Sequence, residues 1–336
     1  MMISIQLLKK ENTDEALLFL QPYESECVNL ASEILRGGAD CWALYYSERL
    51  QASGSIALQT ETRANSGSDL QGQKLAGLFA LRKKRSLFFC LPFAKYKSAF
   101  DKKVCSEAQR PLMEFFESRE PFCVNGEAAG AIFLRNILKN KKSPMRPSVT
   151  NKYFLMVSGQ ARANSGSLAI DQNGGAENQE ASQNKKAVHA LNSGGGLRVV
   201  QATAADFDSL LPLELGYQRE EVVPASFDIS DAALAAAFKH ELGQGLTFAL
   251  CDGGRPIAKA RVSACGLRHC MLGGVYTIPS ERKKGRASFL VRQIIARQSL
   301  AFDSFCLYAK QENAAALALY KSLDFVPRGE YLLVYY

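Results

Sequence analysis

Residues 158–196 lose almost every large apolar side chain and become a run of Gln, Asn, Ser, Gly and Ala that closes on Asn-Ser-Gly-Gly-Gly. A stretch of that composition buries too little apolar surface to offset the entropy of ordering it. It reads as a flexible linker or long insertion between two globular blocks, 1–157 and 197–336. The chain length, 336 residues, also exceeds what one core usually organises. The hexapeptide Arg-Ala-Asn-Ser-Gly-Ser occurs at 63–68 and again at 162–167. A duplicated loop insertion accounts for it, because six residues are too few for a repeat fold.

An apolar content of 47% with 22% charged residues falls in the ordinary globular range. No apolar run approaches the roughly eighteen residues of a membrane span, and the N-terminal MMISIQLLKKENTDE carries acidic residues where a signal peptide has its apolar stretch. A cytoplasmic protein with no membrane partner is expected. The nine cysteines form no CxxC spacing, which suits a reducing compartment. Cys265 and Cys270 flank His269, but too few ligands lie nearby for a tetrahedral site, so no metal is expected and the cysteines read as small hydrophobes on paired strands. The net charge of +8 includes the basic runs 82–85 and 139–142. Both are short and neighbour turn residues, so a solvated surface explains them and no nucleic-acid partner is expected.

The second block alternates strand and helix. Strand 197–202 precedes helices 204–216 and 231–242. Strands 246–251 and 256–264 meet at the hairpin signal Asp252-Gly253-Gly254-Arg255, and 269–277 continues the sheet. A helix over 286–300 follows from the spacing of Phe289, Leu290, Ile294 and Ile295. Strand 305–309, helix 313–322 and two terminal strands within 325–335, turning at Arg328-Gly329-Glu330, complete a mixed α/β sheet flanked by helices.

The chemistry concentrates in 274–288, where a strand ends at Pro279, a basic loop carries Arg282, Lys283, Lys284 and Arg286, and a helix begins. Backbone N–H groups at such a junction converge on one spot, and the helix dipole adds positive potential there, so a diphosphate is accommodated. Gly285 lets the backbone approach, and small Ala287 and Ser288 keep the first turn open. By itself, a basic loop before a helix is more often a solvated turn than a phosphate site.

Its surroundings narrow the choice. Arg282, Gly285 and Ala287 stand at the spacing of the Arg/Gln-x-x-Gly-x-Gly/Ala loop that binds acyl-CoA in the GNAT superfamily of N-acetyltransferases, after a Val-x-Thr-x-Pro strand end similar to that family's fourth strand. Downstream, 313–325 resembles the family's N-x-x-A-x-x-x-Y-x-x-x-G-F segment, with Asp324 where Gly is usual; Asp tolerates the left-handed helix exit better than most residues. The resemblance covers about 140 residues. It implies a direct transfer of an acetyl group from acetyl-CoA, as co-substrate, to a small-molecule or peptide amine, with a homodimer left open.

By that resemblance, Val275, Tyr276 and Thr277 hold the pantetheine arm, one of their N–H groups polarises the thioester carbonyl, and 283–288 hold the diphosphate. Tyr320 matches the tyrosine that protonates the departing thiolate; packing of a short helix is its other reading. Asn313 matches a cofactor-bonding residue and equally suits a helix N-cap. An acceptor amine must lose a proton before attack. Glu220 and Glu221 are candidates for binding or deprotonating it, although two solvated surface carboxylates explain them as well; His240 and His269 rank lower.

Block 1–157 shows helices at 17–20, 27–35, 111–117 and 127–138 among strands at 41–46, 75–82, 86–91, 121–124 and 153–158. That order resembles a diverged copy of the same domain. Its loop 81–86 contains no glycine, so this block is expected to bind no acyl-CoA and to shape the acceptor cleft or an oligomer interface. A non-catalytic acyl-CoA sensor or interaction module is the competing reading of the whole chain.

Overall fold

The computed structural model describes residues 1–37, 40–47, 73–82, 86–158, 196–224 and 227–336. The expected linker, apart from its first and last residues, and both copies of the hexapeptide lie outside the described residues. The described residues form two compact units, Met1–Asn151 with Tyr331–Tyr336, and Lys152–Glu330.

In the first unit, strands β1 (Met2–Leu7), β2 (Cys41–Ser47), β3 (Gln73–Leu81), β4 (Ser86–Cys90) and β5 (Cys123–Glu127) lie in sequential order. Residues Tyr331 to Tyr335 of the last strand, β12 (Phe325–Tyr335), pair antiparallel with β5. Alternation along β2 sends Ala43 and Tyr45 toward helices α1 (Thr13–Leu20) and α2 (Glu24–Leu35), and Leu44 toward α3 (Ala99–Phe116) and α4 (Ala128–Asn140). Each face therefore buries its own helix pair.

The second unit has the order β6 (Val149–Ser158), β11 (Ser304–Lys310), β10 (His269–Thr277), β9 (Arg255–Cys265), β8 (Thr247–Asp252) and β7 (Leu197–Gln201). Phe248 and Leu250 face α7 (Arg286–Gln298) and α8 (Ala314–Lys321), while Ala249 and Cys251 face α5 (Phe207–Tyr217) and α6 (Asp231–Leu242). The two units repeat one plan. In each, a strand, two helices and three strands precede a helix, a strand and a helix, and the fourth and fifth strands pair in parallel between antiparallel neighbours.

The sixth strand of each sheet comes from the other half of the chain. Residues 153–157 pair with β11 in the second unit, and 331–335 pair with β5 in the first. Boundaries at 157 and 197 therefore differ from the observed division, since apolar patterning marks a strand without marking its partner. Two further expectations are corrected. Residues 325–335 form one strand, because Gly329 does not adopt the positive φ that would turn the chain. Helix α3 starts at Ala99 rather than near Pro111, because a reciprocal Ser98–Asp101 capping box nucleates it and Pro111 lies inside.

The loop expected at 81–86 as the first block's counterpart of the phosphate loop instead lies in the connection between antiparallel β3 and β4, with its residues 83–85 outside the described set. The strand-to-helix loop of that unit runs from Leu91 to the α3 N-cap Ser98. Its helix N-terminus is already satisfied: Ser98 Oγ accepts from Asp101 N at 3.0 Å, and Asp101 adds negative charge. The parallel pair is also filled, because Phe89 packs so closely on Gly126 and Gly130 that a Cβ on either would lie 2.3 Å from its ring. Among the basic runs, Lys141 is fully buried and paired with Glu120 at 3.1 Å, so 139–142 is not a continuous charged surface. Among the described residues, no helix is long and apolar enough to cross a membrane.

Candidate active site

The β10–α7 junction is built from backbone conformations that few side chains favour. Lys283 has φ +60° and Gly285, the N-cap of α7, has φ +71°. A Cβ at Gly285 would meet nothing within 4 Å, so glycine is favoured there by the backbone angle and not by space. The first intrahelical bond runs from Phe289 N to Gly285 O. The N–H groups of Arg286, Ala287 and Ser288 precede it and have no acceptor within the helix, and a glycine N-cap has no side chain to supply one.

These groups open on a cleft of about 520 Å³. Val275, Tyr276 and Thr277 line it from β10; Arg282, Lys283, Gly285, Arg286, Ala287 and Ser288 line it from the loop and helix start. Asn313 and Tyr320 contribute from α8, and Glu220 and Glu221 from the π-helical turn Gln218–Val222 that extends α5. Lys284 alone among the expected residues is not in the lining; its amine bonds Glu281 at 2.9 Å. His240, in the last turn of α6, and His269, at the start of β10, are also outside it.

The loop cations are largely spoken for. Glu281 also accepts from Arg286 at 3.1 Å, and Lys284 and then Arg286 hold its carboxyl below the usual carboxylate range. Arg282 donates through Nη2 to both oxygens of Glu220, through Nε to the Thr277 carbonyl at 3.0 Å, and lies over the Tyr276 ring. The Tyr276 hydroxyl donates to the same Glu220 at 3.0 Å. Glu220 is thus a staple between the α5 extension and the loop, rather than a free base. Thr277 Oγ1 is buried in the cleft wall with no hydrogen-bond partner.

Glu221 has a different setting. It accepts from Asn313 Nδ2 at 2.9 Å, while Asn313 Oδ1 caps α8 by accepting from Ala316 N at 2.9 Å. Asn313 is therefore the helix cap that its position allowed. Tyr320 is nearly buried and packs edge-on against Phe325, so its packing role is realised too. Burial first, then the neighbouring Tyr217 and Glu221, push the Tyr320 phenol well above its ordinary value, and it stays protonated.

Lys259 and Glu214, which sequence reasoning passed over, support the β10 wall at Gly274. Gly273 pairs with Arg261 and Tyr276 with Lys259, so Gly274 and Val275 stand opposite Ala260 alone, a β-bulge with Gly274 at φ +60°. Lys259, 1% exposed, donates to the Gly274 carbonyl at 3.2 Å and pairs with Glu214 of α5 at 2.5 Å. Burial pulls the Lys259 ammonium below its usual value; burial opposes ionisation of Glu214 as well, but Lys259 outweighs it and holds the carboxyl low. Lys259 is one of three cations in β9, with Arg255 and Arg261, and nothing in the sequence sets it apart from them. Cys265 and Cys270 are cross-strand partners in β9 and β10, and no group of three or more His, Cys, Asp or Glu among the described residues is arranged to hold a metal ion.

Residues 210–325 match the model of the acetyltransferase (GNAT) family, so this part of the chain is a GNAT-family domain, and the whole cleft lies within it. No curated protein matches the chain. Among solved structures, a Drosophila protein is 11% identical over 99% of this chain and 98% of its own, with a TM-score of 0.52, which shows a shared fold. An acetyltransferase of the GNAT family from Colwellia psychrerythraea is 8% identical over 99% of this chain and 98% of its own, at a TM-score of 0.46. A GNAT-family protein from Novosphingobium aromaticivorans is 18% identical over 56% of this chain and 65% of its own, at a TM-score of 0.35.

Proposed function

We propose that the second unit binds an acyl-CoA, with acetyl-CoA the expected donor, and transfers its acyl group directly to an amine. The observation that carries this reading is the open N-terminus of α7: three unpaired N–H groups on a positive-φ loop, facing a cleft that also contains Tyr320. Because Glu220 and Glu281 offset much of the loop's positive charge, the backbone donors and the helix dipole supply most of the diphosphate grip. The unpartnered Thr277 hydroxyl offers a further polar contact to a bound arm.

In the reaction, the amine nitrogen attacks the thioester carbonyl, a C–N bond forms and the C–S bond breaks. Negative charge develops on the carbonyl oxygen, where a β10 backbone N–H stabilises it. The amine proton leaves toward Glu221, directly or through water, and the departing thiolate takes a proton from the Tyr320 phenol. Burial suits Tyr320 to this role by keeping the proton in place until a strong base appears. Glu221, whose charge reaches both Tyr320 and Tyr217, is the better placed of the two carboxylates.

The test is calorimetric titration with coenzyme A, followed by a screen of small amines, amino acids and peptides with acetyl-CoA in which free thiol is read. Binding with amine-dependent thiol release is expected. Binding without release for any amine would make this protein an acyl-CoA sensor, and no binding would remove the reading altogether.

A further inference from the structure

We infer that Lys259 is a positioning residue for the acyl transfer, acting through the Gly274 peptide to aim the Val275 N–H into the cleft. The inference rests on the acyl-CoA reading and adds a residue to it. In a trans peptide the C=O of one residue and the N–H of the next point in opposite directions within one plane. Fixing the Gly274 carbonyl therefore fixes the Val275 N–H.

At a bulge the ladder does not hold that plane, because Gly274 and Val275 share one partner residue across the sheet. Glycine at φ +60° leaves the plane freer still. Something else must hold it. Lys259 Nζ donates to the carbonyl at 3.2 Å and so holds the bulge from one side. Val275 lines the cleft from this held peptide.

The ion pair to Glu214 gives the lysine a fixed position. The lysine side chain is 1% exposed and that of Glu214 4%, and Gln218 donates to Glu214 at 2.6 Å as well. Fastening α5 to β9 needs only a matched pair of side chains, and two apolar residues of similar volume do that as well as two charges. An apolar pair has no donor for the Gly274 carbonyl. That hydrogen bond is what a lysine adds at this position, and it is the link to the site.

The test compares wild type, Glu214→Gln, and the double variant Lys259→Met with Glu214→Gln, which removes both charges together. Each is bound to acetyl-CoA labelled with ¹³C at the thioester carbonyl, and the carbonyl stretch is read by difference infrared spectroscopy. In the wild type the stretch moves to lower frequency on binding. The double variant should lose at least half of that shift while its coenzyme A dissociation constant stays within about threefold of wild type. Glu214→Gln keeps the lysine and its bond to Gly274, and should keep the shift.

A folded double variant with the full shift would overturn the inference, and so would a shift lost equally in Glu214→Gln, which would assign the effect to the ion pair. If the double variant fails to fold, Lys259→Met alone replaces it, since Glu214 can take up a proton and keeps its bond from Gln218; loss of at least half the shift is again expected, and a full shift overturns the inference. Wild-type protein that does not bind acetyl-CoA would instead overturn the function proposed above, before any variant is compared.

Discussion

Both carboxylate oxygens of Glu220 accept from a single nitrogen of Arg282, at 3.0 and 2.8 Å. The arginine that opens the phosphate loop is thereby held by a carboxylate of the α5 extension. Any anion entering the cleft meets a cation already paired, and competes with a negative charge for it.

Replacing Glu220 by Gln is expected to strengthen coenzyme A binding by roughly threefold, because the competing charge is removed while the shape is kept. Both partners are over 40% exposed, so the pair contributes only about 0–1 kcal/mol to stability and the thermal midpoint should move by no more than about 3 °C. Isothermal titration reads the first effect and calorimetric melting the second. Weaker binding would show that the staple shapes the cleft more than it blocks it.

Gly285→Ala should cost about 1 kcal/mol through backbone strain, and Gly285→Leu about the same, because a side chain there projects into open space. The Leu variant should remain folded and lose coenzyme A binding entirely; the Ala variant should bind at least tenfold more weakly. Circular dichroism and titration on the same samples separate the two effects. Full affinity in the Leu variant would put the diphosphate elsewhere.

Tyr320→Phe should lower kcat by about 10²-fold or more with KM for acetyl-CoA nearly unchanged, as expected when a proton donor is lost but the cleft is kept. A phenol whose pKa rises on folding stabilises the native state below its unfolded value of 10.0, and that contribution fades as pH climbs past 10 toward the folded value. The wild type should therefore lose stability above pH 10 more steeply than Tyr320→Phe, as read from urea midpoints. Parallel alkaline profiles would mean that Tyr320 is not held as the structure implies.

Calorimetry should give one coenzyme A per chain. The α3 N-terminus is closed by its Ser98–Asp101 box and the first unit's parallel pair is filled by Phe89. Phe89→Ala should cost about 3–5 kcal/mol as a core cavity and create no second site. A stoichiometry of two would contradict this account.

Local chemistry was the legible part of the sequence. The β10–α7 loop is one run of neighbouring residues, Asn313 and Tyr320 stand about two helical turns apart, and all of them line one cleft. Glu220 and Glu221 were both nominated, but adjacent residues on a helix point in different directions, and only contacts show that one grips Arg282 and the other Asn313. Lys259 was illegible because its partners, Glu214 and Gly274, belong to other elements and nothing in a strand's alternation marks a lysine as buried. The exchange of the two sixth strands was illegible for a related reason: a strand's own residues say which face is apolar, not which neighbour it joins.

The exchange has a consequence for how the chain can be made. Most of the first unit precedes the second in the chain, yet its sheet edge waits for residues 331–335, which are translated only after the whole second unit. Until then β5 presents bare peptide groups, a surface on which another nascent chain or a chaperone can settle. Maturation of the early half is thus timed by the late half, and a ribosome stalled before residue 331 leaves a sticky, unsealed product.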